Sequence, residues 1–178
     1  MNTTDTLRAL IADNAILPIS QEHGKNICIL SEPESNYEFK LRHLPMDSLI
    51  IKCDKFPNTD VFFRSDNMEC KRADYALVSE SEKIIMFFEL KRSTTSAKNV
   101  AIVAQLKGAA CILEYCGLIA GSFLGVRDIF YKFDRRYYIV HRKSSVRRSF
   151  EEEKKLDNRT PENARKLGGP FTSFEYLL

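Results

Sequence analysis

The fold is decided by two stretches of sequence, RADYALV at residues 72–78 and IIMFFEL at residues 84–90. The first stretch alternates in side-chain size and polarity, and the second is a nearly continuous apolar run that ends in charge; both patterns are typical of β-strands. The polar link at residues 79–83 fits a hairpin loop. The sequence therefore predicts a β-hairpin in the middle of the chain.

The register of this hairpin brings two acids together. We expect Val78 to pair with Ile85 across the loop. The same antiparallel register places Asp74 opposite Glu89, where directly opposed Cβ atoms lie about 4.5–5.5 Å apart. Two carboxylates at that separation can share one cation.

A lysine joins these acids. Side chains two residues apart on a strand point to the same face, so Lys91 lies beside Glu89 while Leu90 turns into the core. Acid, acid and amine then meet at one site without any long-range assumption.

The cation is predicted to be Mg²⁺ or Mn²⁺, because carboxylate, carbonyl and water oxygens suit hard ions and no cluster of His or Cys accompanies the acids. We assign Asp74 and Glu89 as metal ligands, with the backbone carbonyl of Leu90 as a third. The metal would polarise a phosphoryl oxygen and lower the pKa of a bound water. Lys91 would orient that water or stabilise charge on the phosphate. This chemistry is metal-dependent hydrolysis of a phosphodiester.

The arrangement resembles the PD-(D/E)xK phosphodiesterase superfamily, also called the restriction endonuclease-like fold, in which a strand Asp precedes an acid-x-Lys triplet on the next strand. The matching residues are Asp74, Glu89 and Lys91, and the match covers about residues 47–118. The resemblance implies an α/β fold with a central mixed β-sheet flanked by helices on both faces. It also implies a helix behind the hairpin, which residues 97–116 supply, and DNA as the substrate before RNA.

The chain departs from the family pattern at two positions. Ala73 stands before Asp74 where the family name has proline. Gln105 lies where some nuclease branches carry a Gln-x-x-x-Tyr helix motif, but position 109 is Ala, so that branch is not supported. Gln105 remains a further candidate catalytic residue.

An additional acid near the opening helix is also characteristic of many nucleases of this fold. Helical spacing of apolar residues predicts such a helix at residues 3–16, and Asp13 or Glu22 would complete the metal shell. Solvent exposure of both acids is the alternative.

An acid-x-Lys triplet alone is a weak signal, because the chain repeats it at residues 38–40, 152–154 and 153–155. Only Glu89 follows an apolar strand that pairs with a strand bearing an Asp. The alternative is that Asp74 and Glu89 are edge-strand charges, each in an ordinary surface ion pair with Arg72 or Lys91.

A basic stretch between residues 132 and 148 carries seven cations against a single acid, Asp134; Tyr137 and Tyr138 lie within it and Tyr131 directly before it. Such a patch can follow a phosphate backbone, while aromatic faces stack on exposed bases. The alternative is a solvated strand end with the tyrosines in the core. The predicted nucleic-acid-binding residues are Lys132, Arg135, Arg136, Arg142, Lys143, Arg147 and Arg148.

The remaining sequence predicts one domain over residues 1–178, with residues 150–178 as a C-terminal helical or tail appendage. Further strands are predicted at residues 37–44, 48–53, 61–63 and 136–140, and Gly117 is expected to end the long helix. The five cysteines form no Cys-x-x-Cys pair and the three histidines are scattered, which argues against zinc. No signal peptide or membrane span is expected, so the predicted location is cytoplasmic.

Two functional hypotheses follow. The first is a metal-dependent endonuclease, with RNA as an alternative substrate and a homodimer as the arrangement that would suit double-strand cutting. The second is a catalytically inactive module of the nuclease fold that binds nucleic acid or a protein partner.

Overall fold

A computed structural model describes residues 1–32, 37–91, 100–141 and 157–178. The helices are α1 (Thr3–Leu10), α2 (Val100–Ile119) and α3 (Phe174–Leu177). The strands are β1 (Ser20–Glu22), β2 (Lys25–Glu32), β3 (Tyr37–Leu44), β4 (Leu49–Lys52), β5 (Tyr75–Ser79), β6 (Ile84–Lys91), β7 (Asp134–His141), β8 (Arg165–Gly168) and β9 (Phe171–Ser173).

The chain is an α/β protein with two mixed sheets. A central sheet has the strand order β4-β5-β6-β7-β8, in which β4, β5 and β6 are antiparallel and β6, β7 and β8 are parallel. The parallel pair β6 and β7 needs a long crossover, and α2 lies within it. The predicted hairpin is confirmed in its register, since Val78 pairs with Ile85.

The two faces of the central sheet are covered differently. One face packs on α1 and α2. The buried core between this face and the helices includes Leu7 of α1, Ile85 and Phe87 of β6, and Ile102 and Leu106 of α2. The other face packs on the second sheet, which has the order β1-β2-β3-β9. We expected helices on both faces, but in the described ranges this face is covered mainly by strands. The reason is β3, whose residues alternate between buried and exposed and so form one apolar sheet face.

Two local elements differ from the sequence-based expectation. Helix α1 ends at Leu10 because Ile11 is already extended. It begins at Thr3, after the N-cap residue Asn2, whose side chain accepts the Asp5 N–H at 2.8 Å. Residues 61–63 form a turn and not a strand. The Thr59 carbonyl accepts two N–H groups of this segment at 3.0 and 2.9 Å, so its donors are used locally.

Helix α2 is longer than expected. It continues through Gly117 into a π-helical turn at Ala120–Leu124 and ends at Gly125, which has a φ of +70°. Glycine is needed there because a left-handed backbone disfavours other residues. The stretch Val100–Leu124 is long and apolar enough to cross a membrane by length and composition alone, a test that core helices also pass. Here the helix packs buried residues such as Leu106 and Leu113 against the sheet.

Gly108 controls how closely α2 approaches the chain before β5. A Cβ atom at this position would lie 1.7 Å from the carbonyl oxygen of Lys71. Only glycine permits this contact, because real Cβ atoms do not approach backbone so closely. The segment that leads to Asp74 is therefore held directly against α2.

Residues 157–178 take part in both sheets. Strand β8 pairs with β7, and β9 pairs with β3. The Tyr138 hydroxyl donates to the carbonyl of Leu177, which ties α3 to the central sheet. Residues 150–156 lie outside the described part of the chain.

Candidate active site

Asp74 lies at the start of the hairpin and reaches across to β6. Tyr75 pairs with Phe88, so the preceding residue, Asp74, comes level with Glu89. Its Oδ2 atom accepts the backbone N–H of Leu90 at 2.6 Å, and its carbonyl accepts the N–H of Cys53 at 2.9 Å. The side chain and the backbone of Asp74 are thus each fixed by a hydrogen bond.

Glu89 is a buried charged residue on the middle strand of the central sheet. Its exposed fraction is 1%, and its carboxylate forms an ion pair with Lys91, whose side chain is 29% exposed. Burial of a carboxylate is unfavourable unless it is paired and hydrogen-bonded. The alternative, in which Glu89 is an edge-strand charge in a surface ion pair, is wrong because Glu89 is buried on a middle strand. The ion pair with Lys91 that this alternative proposed is present.

Asp74, Glu89 and Lys91 share one face of the sheet. Ile85 and Phe87 of β6 pack on the α2 side, and Glu89 and Lys91 continue that alternation. The side chain of Leu90 is buried on the opposite face. In an antiparallel ladder the N–H and C=O of one residue point to the same neighbouring strand. Because the Leu90 N–H meets Asp74, its carbonyl is directed to the same side, as a third metal ligand requires.

The metal-binding capacity of this site rests on few side chains. Among the residues that the structure describes, no group of three or more His, Cys, Asp or Glu side chains is placed to hold a metal ion. A cation here would take two carboxylates, one carbonyl and water, which fits Mg²⁺ because this ion usually keeps several waters. The register sets Asp74 opposite Glu89, and opposed carboxylates repel each other unless cations balance them. Lys91 supplies one positive charge, and a divalent ion would supply the rest.

The two acids considered for completing the site stand elsewhere. Asp13 is exposed in a 3₁₀ turn, and Glu22 lies on β1 of the second sheet. The Glu22 carboxylate accepts from Lys40 at 3.1 Å, and this contact lowers its pKa. Neither acid joins Asp74 and Glu89 in a group of three.

Gln105 is partly buried on α2. It lies three residues before Gly108, so both residues occupy one side of the helix. Gly108 contacts the backbone of Lys71, three residues before Asp74. Gln105 therefore lies on the side of the helix that meets the segment leading to Asp74.

His141 is a site residue that the sequence reasoning missed. Lys91 pairs with His141 across the parallel β6–β7 ladder, and His141 is buried on the same face as Ile139. Its carbonyl accepts the Tyr37 hydroxyl at 2.9 Å. The sequence indicates only that Tyr137, Ile139 and His141, which are spaced by two, share one face of β7. It does not indicate that His141 lies beside Lys91, because that depends on the parallel register of β6 and β7.

The basic stretch is divided by the structure. Arg135 pairs with Ile85, whereas Glu89 pairs with Ile139, so Arg135 is four residues, or about 13 Å, from Glu89 along the strand. Arg135 forms an ion pair with Glu114, and Arg136 forms one with Asp134 at 2.7 Å. Their charges are balanced at the end of the sheet away from Glu89.

The rest of that prediction has mixed outcomes. Lys132 is exposed and lies 5.2 Å from the centre of the Tyr131 ring. Tyr137 and Tyr138 are buried in the core, as the alternative held, whereas Tyr131 is 69% exposed and not in the core. The remaining four predicted cations, Arg142, Lys143, Arg147 and Arg148, lie outside the described residues.

Comparisons with protein-family models, with curated proteins and with solved structures find no significant match to this chain.

Proposed function

We propose that this protein is a metal-dependent nuclease that hydrolyses phosphodiester bonds in DNA, with Mg²⁺ or Mn²⁺ as its cofactor. The observation that supports the proposal is the register of the central hairpin, which sets Asp74 level with Glu89 on the face that also carries Lys91, together with the Asp74–Leu90 hydrogen bond and the Glu89–Lys91 ion pair. A hairpin backed by α2 is also what the resemblance to the PD-(D/E)xK superfamily implied. The restriction endonuclease-like fold is part of this proposal.

The roles of the residues follow from their placement. Asp74 and Glu89 would hold the cation together with the Leu90 carbonyl. A cation bound there would supply a Lewis acid for the phosphoryl oxygen and a more acidic bound water. Lys91 combines a paired ammonium with partial exposure, so it can contact a phosphate while Glu89 fixes its position. The Leu90 N–H orients the Asp74 carboxylate.

The first test is a cleavage assay on linear and circular double-stranded DNA, single-stranded DNA and RNA, with Mg²⁺, Mn²⁺ or EDTA. We expect cutting that requires metal and is lost in Asp74→Asn and Glu89→Gln. The matched control is Glu82→Gln, because Glu82 is exposed in the turn of the same hairpin. Cleavage by Asp74→Asn and Glu89→Gln at the wild-type rate would refute the proposal.

The second candidate function is a binding module that keeps this arrangement without turnover. It is favoured by the burial of Glu89 and its pairing with Lys91, which balance the charge without a metal. This function predicts nucleic-acid or protein binding that is unchanged by EDTA and by Asp74→Asn. Titration with Mn²⁺, followed by its paramagnetic resonance signal, distinguishes the two: only the nuclease needs a metal site that Asp74→Asn destroys.

A further inference from the structure

A groove lies beside α2, lined in part by Lys71 and Arg72 of the segment that leads to Asp74. It has a volume of about 570 Å³ and lies between α2 and the loop at residues 56–72. Phe56, Phe62, Phe63 and Tyr115 contribute four aromatic rings to its lining. We refer to this surface as the aromatic groove.

Three of the four rings, those of Phe62, Phe63 and Tyr115, are open to solvent, and Phe56 is half-buried. Phe62 is 84% exposed and Tyr115 is 50% exposed. Phe56 packs edge-on against Tyr115 with ring centres 5.9 Å apart, and Phe62 packs edge-on against Phe63 at 5.0 Å. These contacts hold the rings in position while leaving aromatic surface uncovered. Contiguous exposed apolar surface of this kind marks a binding site.

The charges along the aromatic groove favour an anionic ligand. Glu69 is the acid in its lining, and its carboxylate accepts the N–H groups of Ser65 and Asn67 at 2.9 and 2.8 Å. That carboxylate therefore holds the loop in shape. Lys71 and Arg72 supply positive charge on the same wall, with Lys71 exposed. Aromatic rings beside cations are what single-stranded nucleic acid requires.

The aromatic groove and the candidate active site are joined by one short segment of the chain. Arg72 and Asp74 belong to one short segment, and three residues from Lys71 to Asp74 span at most about 11 Å. Gly108 fixes this segment against α2. A strand whose phosphate lies at Asp74 and Glu89 would therefore reach the groove within a few nucleotides.

We propose that the aromatic groove binds the unpaired bases of a DNA strand whose phosphodiester bond lies at Asp74, Glu89 and Lys91. This inference rests on the proposed nuclease function and narrows its substrate to single-stranded DNA or DNA with unpaired nucleotides. Bases stack on aromatic side chains without regard to sequence, because every base has a π-face. Bases inside a duplex are already stacked and must be extruded before they can enter.

Binding is tested first in EDTA, where cleavage does not interfere. We measure fluorescence anisotropy of a labelled oligothymidylate of about 12 nucleotides with wild type, Phe62→Ala and Tyr115→Ala. Each substitution should weaken binding at least about fivefold, the lower limit for loss of one stacking contact. Phe123→Ala is the matched control, because Phe123 is an exposed aromatic residue outside the groove lining. It should bind like wild type, and a blunt duplex should bind more weakly than the single strand.

A chemical footprint then locates the bound strand. Cys111 is exposed in the groove lining, whereas Cys28 and Cys53 are buried, and burial raises the pKa of the Cys28 thiol to about 12. Bound oligothymidylate should slow maleimide modification of Cys111, read by mass spectrometry of the labelled peptide. An equal concentration of duplex should give less protection.

The outcomes separate this inference from the nuclease itself. One outcome is metal-dependent cleavage together with unchanged binding by Phe62→Ala and Tyr115→Ala and no protection of Cys111. It would refute strand binding in the aromatic groove and support the nuclease function. Protection of Cys111 and loss of binding in both variants, without any cleavage, would support strand binding in the aromatic groove and refute the nuclease function. An absence of oligothymidylate binding would refute the proposal that the aromatic groove binds a DNA strand.

Discussion

Two glutamate–lysine ion pairs stand at opposite ends of β6. The pair of Glu80 and Lys83 lies in the hairpin turn, with side chains 23% and 48% exposed. The pair of Glu89 and Lys91 lies at the other end, with side chains 1% and 29% exposed. An exposed pair contributes little to stability, whereas a buried charge is costly without its partner. Burial, and not residue type, therefore distinguishes the candidate site from an ordinary surface contact.

The largest effect is expected on DNA cleavage when Glu89, and not Glu80, loses its charge. Glu89→Gln removes a proposed metal ligand, so we expect DNA cleavage to fall by about a hundredfold or more. Glu80→Gln changes the same functional group in the hairpin turn, where Glu80 is 23% exposed and also accepts the Thr3 N–H, and we expect cleavage by this variant to stay close to wild type. The measurement is the initial rate of cleavage at saturating Mg²⁺. Equal losses in both variants would show that the two ends do not differ in function.

The next largest effect is expected when the lysines are replaced, and it is measured as a change in the free energy of unfolding. Lys91→Met leaves the buried Glu89 carboxylate without its ammonium, so we expect the free energy of unfolding in EDTA to fall by about 3 kcal/mol. Lys83→Met should lower it by less than about 1 kcal/mol because its pair is exposed. Urea unfolding followed by circular dichroism measures both.

Metal should restore part of the unfolding free energy that Lys91→Met loses. Mn²⁺ or Mg²⁺ at the site would replace the missing positive charge beside Glu89 and raise the urea midpoint of Lys91→Met. The midpoint of Lys83→Met should respond to metal no more than wild type does. If Mn²⁺ and Mg²⁺ leave the midpoint of Lys91→Met where it was, the buried pair is not a metal site.

The hairpin could be predicted from sequence because its information is local. Both strands carry strand-like patterns, and a short polar link sets which residues face each other, so Val78 and Ile85 pair as expected. The burial of Glu89 was not predictable in this way. It depends on β6 being the middle strand and on α2 covering it, and both are long-range features.

The same distinction accounts for what the sequence reasoning missed. His141 reaches Lys91 through a parallel pairing that forms only after the α2 crossover. Residues 61–63 have an apolar, strand-like composition, yet the Thr59 carbonyl holds their N–H groups in a turn. The second face of the sheet is covered by strands because Tyr37, Phe39 and Leu41 of β3 alternate with more exposed residues and form an apolar face. Each of these outcomes was decided by hydrogen-bonding or packing partners and not by local propensity.

A smaller effect is expected where α2 contacts the segment leading to Asp74. Gly108→Ala places a Cβ 1.7 Å from the Lys71 carbonyl oxygen, so the helix or the segment must move. We expect a loss of about 1–3 kcal/mol in the free energy of unfolding and reduced cleavage as Asp74 shifts. Gly121→Ala is the control, because its nearest neighbour would lie at 3.7 Å. Normal cleavage by Gly108→Ala would show that the contact does not position Asp74.

The smallest effect should come from the end of the sheet that holds Arg135. Arg135→Gln removes a cation that is already paired with Glu114 and lies about 13 Å from Glu89 along the strand. Charges at this separation are largely screened at about 0.15 M salt, so cleavage should change by less than about twofold. Lys91→Gln alters the same charge at the site and should reduce cleavage strongly under identical conditions. A large loss in Arg135→Gln would mean that the DNA strand extends from Glu89 to the amino end of β7, which would restore the basic stretch as part of the binding surface.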